Sequence, residues 1–124
     1  MWTFENIMRN FRNLEVWQES RLLVKTIYDF SYSLPNTEKF GLISQLNRCA
    51  ISIPSNIAEG CAKYSQNDFV RYLQISLGSL YELETQVLLC IDLNFKTTED
   101  TEKLIETIQK VEKKISALIK YNKS

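Results

Sequence analysis

The sequence predicts an all-α protein, an antiparallel up-down-up-down four-helix bundle. Only three glycines and two prolines interrupt the 124 residues, so long helices can form without breaks. Apolar residues recur at steps of three and four along four stretches, which is the helical period. Short links between the stretches favour antiparallel neighbours. We therefore expect one domain over 1–124, with an N-terminal arm at 1–12 and helices at about 14–34, 37–60, 66–93 and 98–121.

Two prolines shape the first half of the chain. Pro35 ends the first helix, because the residue before a proline is biased away from helical geometry. The second helix restarts soon afterwards, with Asn36 or Thr37 as its N-cap. Pro54 lies inside this second helix and lacks a backbone N–H, which predicts a kink there.

Caps also mark the second half of the chain. Ser65 caps the third helix, with Asp68 three residues later, and Asn94 closes that helix. Thr97 or Thr98 caps the fourth helix. Apolar and small residues at alternating steps of four and three predict the interior seam of the third helix: Phe69, Leu73, Ser76, Leu80, Leu83, Val87 and Cys90.

Composition excludes several classes of function. There is no histidine, the commonest general base and metal ligand, and di-iron sites in four-helix bundles need Glu-x-x-His pairs. Neither a P-loop nor a glycine-rich dinucleotide turn is present. We therefore expect no enzymatic activity, no cofactor and no metal. The 15 basic and 15 acidic residues balance, so a basic field over the whole surface is absent, although a local patch is compatible with this balance.

The three cysteines, Cys49, Cys61 and Cys90, lie in apolar helical stretches and form no CxxC pair. We interpret them as reduced, buried thiols of a cytoplasmic protein. No stretch approaches the roughly 18 consecutive apolar residues of a membrane span, so no membrane partner is expected.

An unusual polar stripe runs through "NRCAISIPSNIAEGCAK", residues 47–63. Arg48, Ser52, Asn56 and Glu59 fall on one side of the second helix, among small residues. One interpretation is a tight packing seam with a kink at Pro54, in which the serines or the asparagine bond backbone groups that the proline leaves free. The other is an intersubunit or ligand-facing surface.

Antiparallel packing of the second and third helices predicts particular ion pairs. Facing positions should sum to about 128 to 130, which places Arg48 near Glu82 or Glu84, and Glu59 near Arg71. Glu59 is by pattern the most enclosed carboxylate, and we expect it to be a structural partner rather than an acid catalyst. The same register brings the small residues of the stripe opposite three small residues of the third helix, Ser76, Gly78 and Ser79.

Several runs carry a resemblance to a known family. They are "LEVWQESRLLVKTIY", the run "SIPSNIAEG" at 52–60, and "GSLYELE" at 78–84. With these motifs, residues 11–95 resemble the four-helix-bundle proteins of 23S ribosomal RNA intervening sequences. The resemblance implies a ring-like homopentamer without established enzymatic activity. The family is also similar to the accessory variability determinant of diversity-generating retroelements, a pentameric barrel that binds nucleic acid and a reverse transcriptase.

Two functions remain open on the sequence. The first is a homo-oligomeric accessory protein that binds RNA or DNA, either alone or beside a reverse transcriptase or another protein. The second is a protein-interaction scaffold ring without direct nucleic-acid contact. Five lysines near the C-terminus are candidate phosphate contacts, although a solvated helix face would also explain them: Lys110, Lys113, Lys114, Lys120 and Lys123. Five apolar residues of the arm are expected to cover a neighbouring subunit or the bundle end: Trp2, Phe4, Ile7, Met8 and Phe11.

Overall fold

The computed structural model describes residues 9–123, and this part of the chain contains helices and no strand. The all-α fold class predicted from the sequence is confirmed. Two short 3-10 turns accompany the long helices, one before the first helix and one between the first two. The helices are α1 Glu15–Tyr32, α2 Leu42–Cys61, α3 Gln66–Asp92 and α4 Thr98–Lys123.

Each helix packs against its neighbour along the chain, and α1 also contacts α4 to close the bundle. Contacts at two levels show that α3 and α4 run in opposite directions. Gln66, at the start of α3, donates to Asn122 at the end of α4 over 2.9 Å. Glu84, farther along α3, accepts from Gln109, earlier in α4, at 3.1 Å. The first turn of α1 likewise meets the last turns of α4.

The N-caps of α3 and α4 satisfy backbone donors as the sequence predicts. The Ser65 hydroxyl accepts from the Asp68 backbone N–H at 3.0 Å. Thr97 accepts from the Asp100 backbone N–H at 3.0 Å, and the Asp100 carboxylate accepts in return from the Thr97 N–H at 3.2 Å. This reciprocal capping box fixes the start of α4.

Asn94 closes α3 as predicted. It adopts a left-handed conformation with a φ of 65°. The Phe95 N–H then donates to the Cys90 carbonyl at 2.9 Å, and the Asn94 N–H donates to the Ile91 carbonyl at 2.9 Å. This hydrogen-bond pattern is the Schellman motif, which satisfies carbonyls that the helix end would otherwise leave free.

The start of α2 differs from the sequence prediction. The helix begins at Leu42, so neither Asn36 nor Thr37 caps it. Asn36 to Glu38 form a separate 3-10 turn instead. Gly41, at φ −106° and ψ −112°, interrupts the helical geometry, and the Glu38 carboxylate accepts from the Leu42 N–H at 3.3 Å. A side chain four residues earlier thus caps the helix.

The core follows the predicted seams closely. All seven residues predicted inside α3 are buried. In α4 the last buried position belongs to Ile119, and Leu118 beside it is half-buried. α2 stays helical through Pro54, and the bend expected there stays a prediction.

α2 and α3 approach most closely near the end of α2. A Cβ added at Gly60 would lie 2.8 Å from the Cβ of Tyr72, which is shorter than real contacts allow. A Cβ at Gly78 would meet nothing within 4 Å, so this glycine faces open space rather than the packed interface expected from the sequence. Gly60 is therefore required by packing, and Gly78 is not.

We expect Gly60→Ala to destabilise the protein by about 1 to 3 kcal/mol, because the new methyl group forces α2 and α3 apart. The matched control is Gly78→Ala, which should stabilise α3 by about 0.5 to 1 kcal/mol through helix propensity. Urea unfolding followed by circular dichroism measures both changes. Equal effects of the two substitutions would contradict the close approach at Gly60.

Candidate functional site

Ser52 and Asn56 of the polar stripe direct their side chains to backbone and to α3. The Ser52 hydroxyl donates to the Cys49 carbonyl at 2.7 Å, and its oxygen lies 2.7 Å from the Ser79 hydroxyl. The Asn56 amide donates to the Ser52 carbonyl at 2.8 Å. These bonds join the stripe to its own helix and to α3, as tight packing requires, but none of them reaches the Ala50 carbonyl, which Pro54 leaves without its usual donor.

A second serine joins α3 to the same turn of α2. The buried Ser76 hydroxyl donates to the Ile53 carbonyl at 2.9 Å, immediately before Pro54. The pairs Ser52–Ser79 and Ile53–Ser76 give residue sums close to the predicted register. We call this set of contacts the α2–α3 seam: Ser52, Ile53, Ser76 and Ser79.

The ion pair predicted between Glu59 and Arg71 does not form. The Arg71 guanidinium lies 3.8 Å from the Asp68 carboxylate, one turn earlier on its own helix. Glu59 is exposed, so it is also not the most enclosed carboxylate. Both side chains lie at the expected height along the helices, but they point outward from the bundle rather than toward each other.

Arg48 likewise pairs with neither Glu82 nor Glu84 among the residues that the structure describes. Arg48 and Glu82 are exposed on the outer sides of their helices. Glu82 instead lies close enough to Cys49 to help raise the pKa of that thiol. Glu84 is turned toward α4, because residues two apart on a helix face different directions.

Sequence reasoning missed a buried acid on α4. Glu112 is only 9% exposed, and its Oε2 atom has no hydrogen-bond partner among the described residues. Burial and then the neighbouring Glu84 carboxylate raise the pKa of Glu112 to about 8. Its position four residues after Ile108 and three before Ile115 was readable as a core position in the sequence, but charged residues are rarely buried.

We expect Glu112→Gln to stabilise the protein, and to do so increasingly as pH rises from about 4.5 to about 8. In that window the folded protein still holds the Glu112 proton and the unfolded chain has lost it, so wild-type stability falls with rising pH. The stability of the variant does not fall in this way, because glutamine does not titrate, and its amide can donate to Glu84. The gain should reach about 1 to 3 kcal/mol near pH 8, the cost of an unsatisfied buried polar group.

Urea unfolding at several pH values measures this difference. The matched control is Glu102→Gln, which removes an exposed carboxylate from the same helix and should shift stability little at any pH. Parallel pH profiles of the wild type and the Glu112 variant would contradict the raised pKa.

Lys114 is already occupied by two acids of α1. Its ammonium group pairs with Glu15, and with Glu19 at 2.7 Å. Hydrogen bonds to Glu15 and then Glu19 raise the pKa of Lys114. Lys114 therefore joins α1 to α4, and its charge is neutralised there rather than offered to a nucleic acid.

The other four candidate lysines are exposed. Lys110, Lys113 and Lys120 are spaced by three and seven residues, which places them on one outward stripe of α4. Lys123 lies at the helix end. None of the four forms an ion pair within residues 9–123.

Four of the five arm residues expected to cover a bundle end, Trp2, Phe4, Ile7 and Met8, lie outside the described residues. The fifth, Phe11, packs edge-on against Trp17 with ring centroids 4.9 Å apart. These two rings line an open cleft of about 700 Å³, which we call the Phe11–Trp17 cleft. Its other lining residues are Arg12, Gln18 and Arg21.

The three cysteines are free and buried, which confirms the burial expected from the sequence. Burial raises the pKa of Cys49 and of Cys61 to about 11, and it also raises the pKa of Cys90. Because the thiolate is the reactive form, these thiols are poor nucleophiles at neutral pH.

The described part of the chain has neither a metal-binding cluster nor a membrane-spanning helix. No three histidine, cysteine, aspartate or glutamate side chains of residues 9–123 are grouped to hold a metal ion. None of the four helices is both long and apolar enough to cross a membrane.

Comparison with known proteins identifies the family. The family described as 23S rRNA-intervening sequence protein matches residues 12–117. The chain belongs to this family. A crystal structure from Bacteroides thetaiotaomicron, described as a protein with unknown function from the S23 ribosomal protein family, superposes with a TM-score of 0.78. The two chains are 28% identical, over 85% of this intervening-sequence protein and 98% of the other. No curated protein matches.

Proposed function

We propose that this intervening-sequence protein is a non-enzymatic, homo-oligomeric accessory protein that binds RNA or DNA. The observation that carries the proposal is a group of exposed cations without carboxylate partners among the described residues. One precedes α1 and three lie in the C-terminal half of α4, whose last turns meet the start of α1: Arg12, Lys113, Lys120 and Lys123. Unpaired cations are the groups that contact phosphates without regard to sequence.

The charge of the bundle is distributed unevenly between its ends. Acidic residues gather at the opposite end, where α3 finishes and α4 starts, and these include Asp92, Glu99, Asp100 and Glu102. A protein with zero net charge can therefore present a cationic surface, since only the local potential acts on a nearby polyanion. The helix dipole also favours lysines at the end of α4, but it does not explain why they lack partners.

Exposed apolar side chains on α3 support self-association. Leu88 and Leu89 are 43% and 41% exposed, and Leu93 is 53% exposed. A groove of about 420 Å³ between α3 and α4 is lined in part by Leu88, Ile91 and Ile105. Exposed apolar surface of this kind is typical of protein–protein contacts. It also favours the second candidate function, a scaffold ring without nucleic-acid contact.

The first test concerns salt. We expect a fluorescently labelled single strand to bind the protein with an affinity that falls steeply as salt rises. Lys113→Gln with Lys120→Gln should lower the slope of log K against log salt by about 1.4, at roughly 0.7 for each lost phosphate contact. Fluorescence anisotropy measures the affinities.

The matched control is Lys39→Gln with Lys103→Gln, which removes two exposed charges from the other end of the bundle. It should leave the slope unchanged. Absence of salt-sensitive binding by the wild type would contradict nucleic-acid binding and favour the scaffold.

The second test concerns assembly. We expect light scattering to give a mass several times that of one chain at micromolar concentration. Leu88→Gln with Leu89→Gln should lower this mass, because it removes apolar surface from α3. Leu22→Gln is the control, since Leu22 is 68% exposed on α1, away from the groove. A single-chain mass for the wild type, or dissociation by the Leu22 substitution alone, would contradict the assembly proposed.

A further inference from the structure

The Phe11–Trp17 cleft combines aromatic rings with cations, and none of the described residues that line it is a carboxylate. Its lining residues provide two aromatic rings, two guanidinium groups and one amide. The amide of Gln18 donates to the Arg12 carbonyl at 2.7 Å, which holds the cleft wall in place. A volume of about 700 Å³ is within the range of small-molecule sites and accommodates a nucleotide.

Both guanidinium groups of the cleft are available to an anion. Arg21 lies over the Trp17 ring, 5.0 Å from its centroid, and is exposed. Neither Arg12 nor Arg21 pairs with a carboxylate anywhere in the stretch 9–123. The acids nearest in sequence, Glu15 and Glu19, are held by Lys114 on the α4 side of α1.

The same chemistry continues along α1. Aromatic and cationic residues follow one another at steps of four, four, three and four, so they share one side of the helix. We call them the α1 stripe: Trp17, Arg21, Lys25, Tyr28 and Tyr32. Lys25 is exposed, and Tyr28 and Tyr32 are 42% and 91% exposed. At 1.5 Å per residue the stripe is about 22 Å long, enough for several nucleotides.

Other clefts of the described surface are less suited to an anion. The cleft between α1 and α4 contains lysines, but also Asp29, Asp100 and Glu106. The groove between α3 and α4 contains Asp92, Glu102 and Glu106. Asp29 lines the α1–α4 cleft and lies one helical turn after Lys25, at the edge of the α1 stripe.

We infer that a single strand of RNA or DNA lies along the α1 stripe, with one base against the rings of the Phe11–Trp17 cleft. Arg12, Arg21 and Lys25 contact the phosphates, and Tyr32 stacks on a further base. The inference rests on the proposed nucleic-acid binding and places it on α1, beyond the lysines of α4. A single strand is specified because bases must leave a duplex before they can stack on side chains.

Trp17 itself reports occupancy. In a Trp2→Phe background it is the only tryptophan, because the chain has two. We expect oligouridine and oligothymidine of about twelve nucleotides to quench its emission, and a duplex of the same length to leave it unchanged. Quenching by either single strand supports the site, and the stronger quencher identifies RNA or DNA as the preferred ligand.

Variants separate the two kinds of contact. Arg12→Gln with Arg21→Gln should weaken binding of the single strand about tenfold or more and lower the salt slope by about 1.4. Tyr32→Ala should weaken binding about fivefold with the salt slope unchanged, because stacking releases no counterions. The control is Lys39→Gln with Lys103→Gln, whose charges lie off the stripe. Circular dichroism checks that each variant is folded.

Two results would overturn the inference. Binding that is salt-sensitive but insensitive to the arginine pair, without quenching of Trp17, would exclude the α1 stripe and leave the proposed function standing. Absence of binding by the wild type to every strand and duplex would overturn both.

Discussion

Close contact between α2 and α3 sets the geometry of the whole bundle. Gly60 lies directly against Tyr72, and the Ser76 hydroxyl reaches the Ile53 carbonyl beside Pro54. Small side chains allow the backbones to approach, and a buried hydrogen bond between the helices fixes their register, since a slip would leave its donor and acceptor unpaired. The outer sides of both helices are then turned away from the core, which is why Arg48 is exposed.

Once α2 and α3 are fixed, the short links determine how α1 and α4 close the bundle. Their contact brings Lys114 between Glu15 and Glu19, so these three charges are paired with one another at the surface on one side of α1. On its other side, Arg21 has no such partner. The distribution of free cations is therefore a consequence of packing, and it could not be obtained by counting lysines along α4.

Periodicity and capping chemistry predicted much of the fold, including the buried residues of α3 and the N-cap at Ser65, because those signals are local. The ion pairs predicted for Arg48 and Glu59 do not form, and the reason is geometric. A helix register states which residues of two helices lie at the same level, but not the direction in which each side chain points. Glu59 and Arg71 can therefore lie at the same level without contact.

Glu112 was missed because burial overrides the usual preference of a carboxylate for water, and the cost of this burial is visible as a raised pKa of Glu112. The α1 stripe could have been predicted from residue spacing. It was not, because α1 was predicted from the period of its apolar residues, which lie on another side of the helix.

The uneven charge distribution bears on how such a protein could hold a polyanion. The cations that we assign to the strand are exposed, so the contact of a single subunit with it should be weak and readily screened by salt. The apolar surface near Leu88 lies toward the acidic end, and the cations lie toward the other. In the oligomer that we propose, subunits contact one another through the apolar surface near Leu88. The exposed cations of each subunit would then be repeated around the symmetry axis. A strand engaging several copies gains affinity from effective concentration alone, without any new contact. Self-association would then be a requirement of nucleic-acid binding rather than a separate property. A chain with zero net charge would suffice to bind nucleic acid in this way.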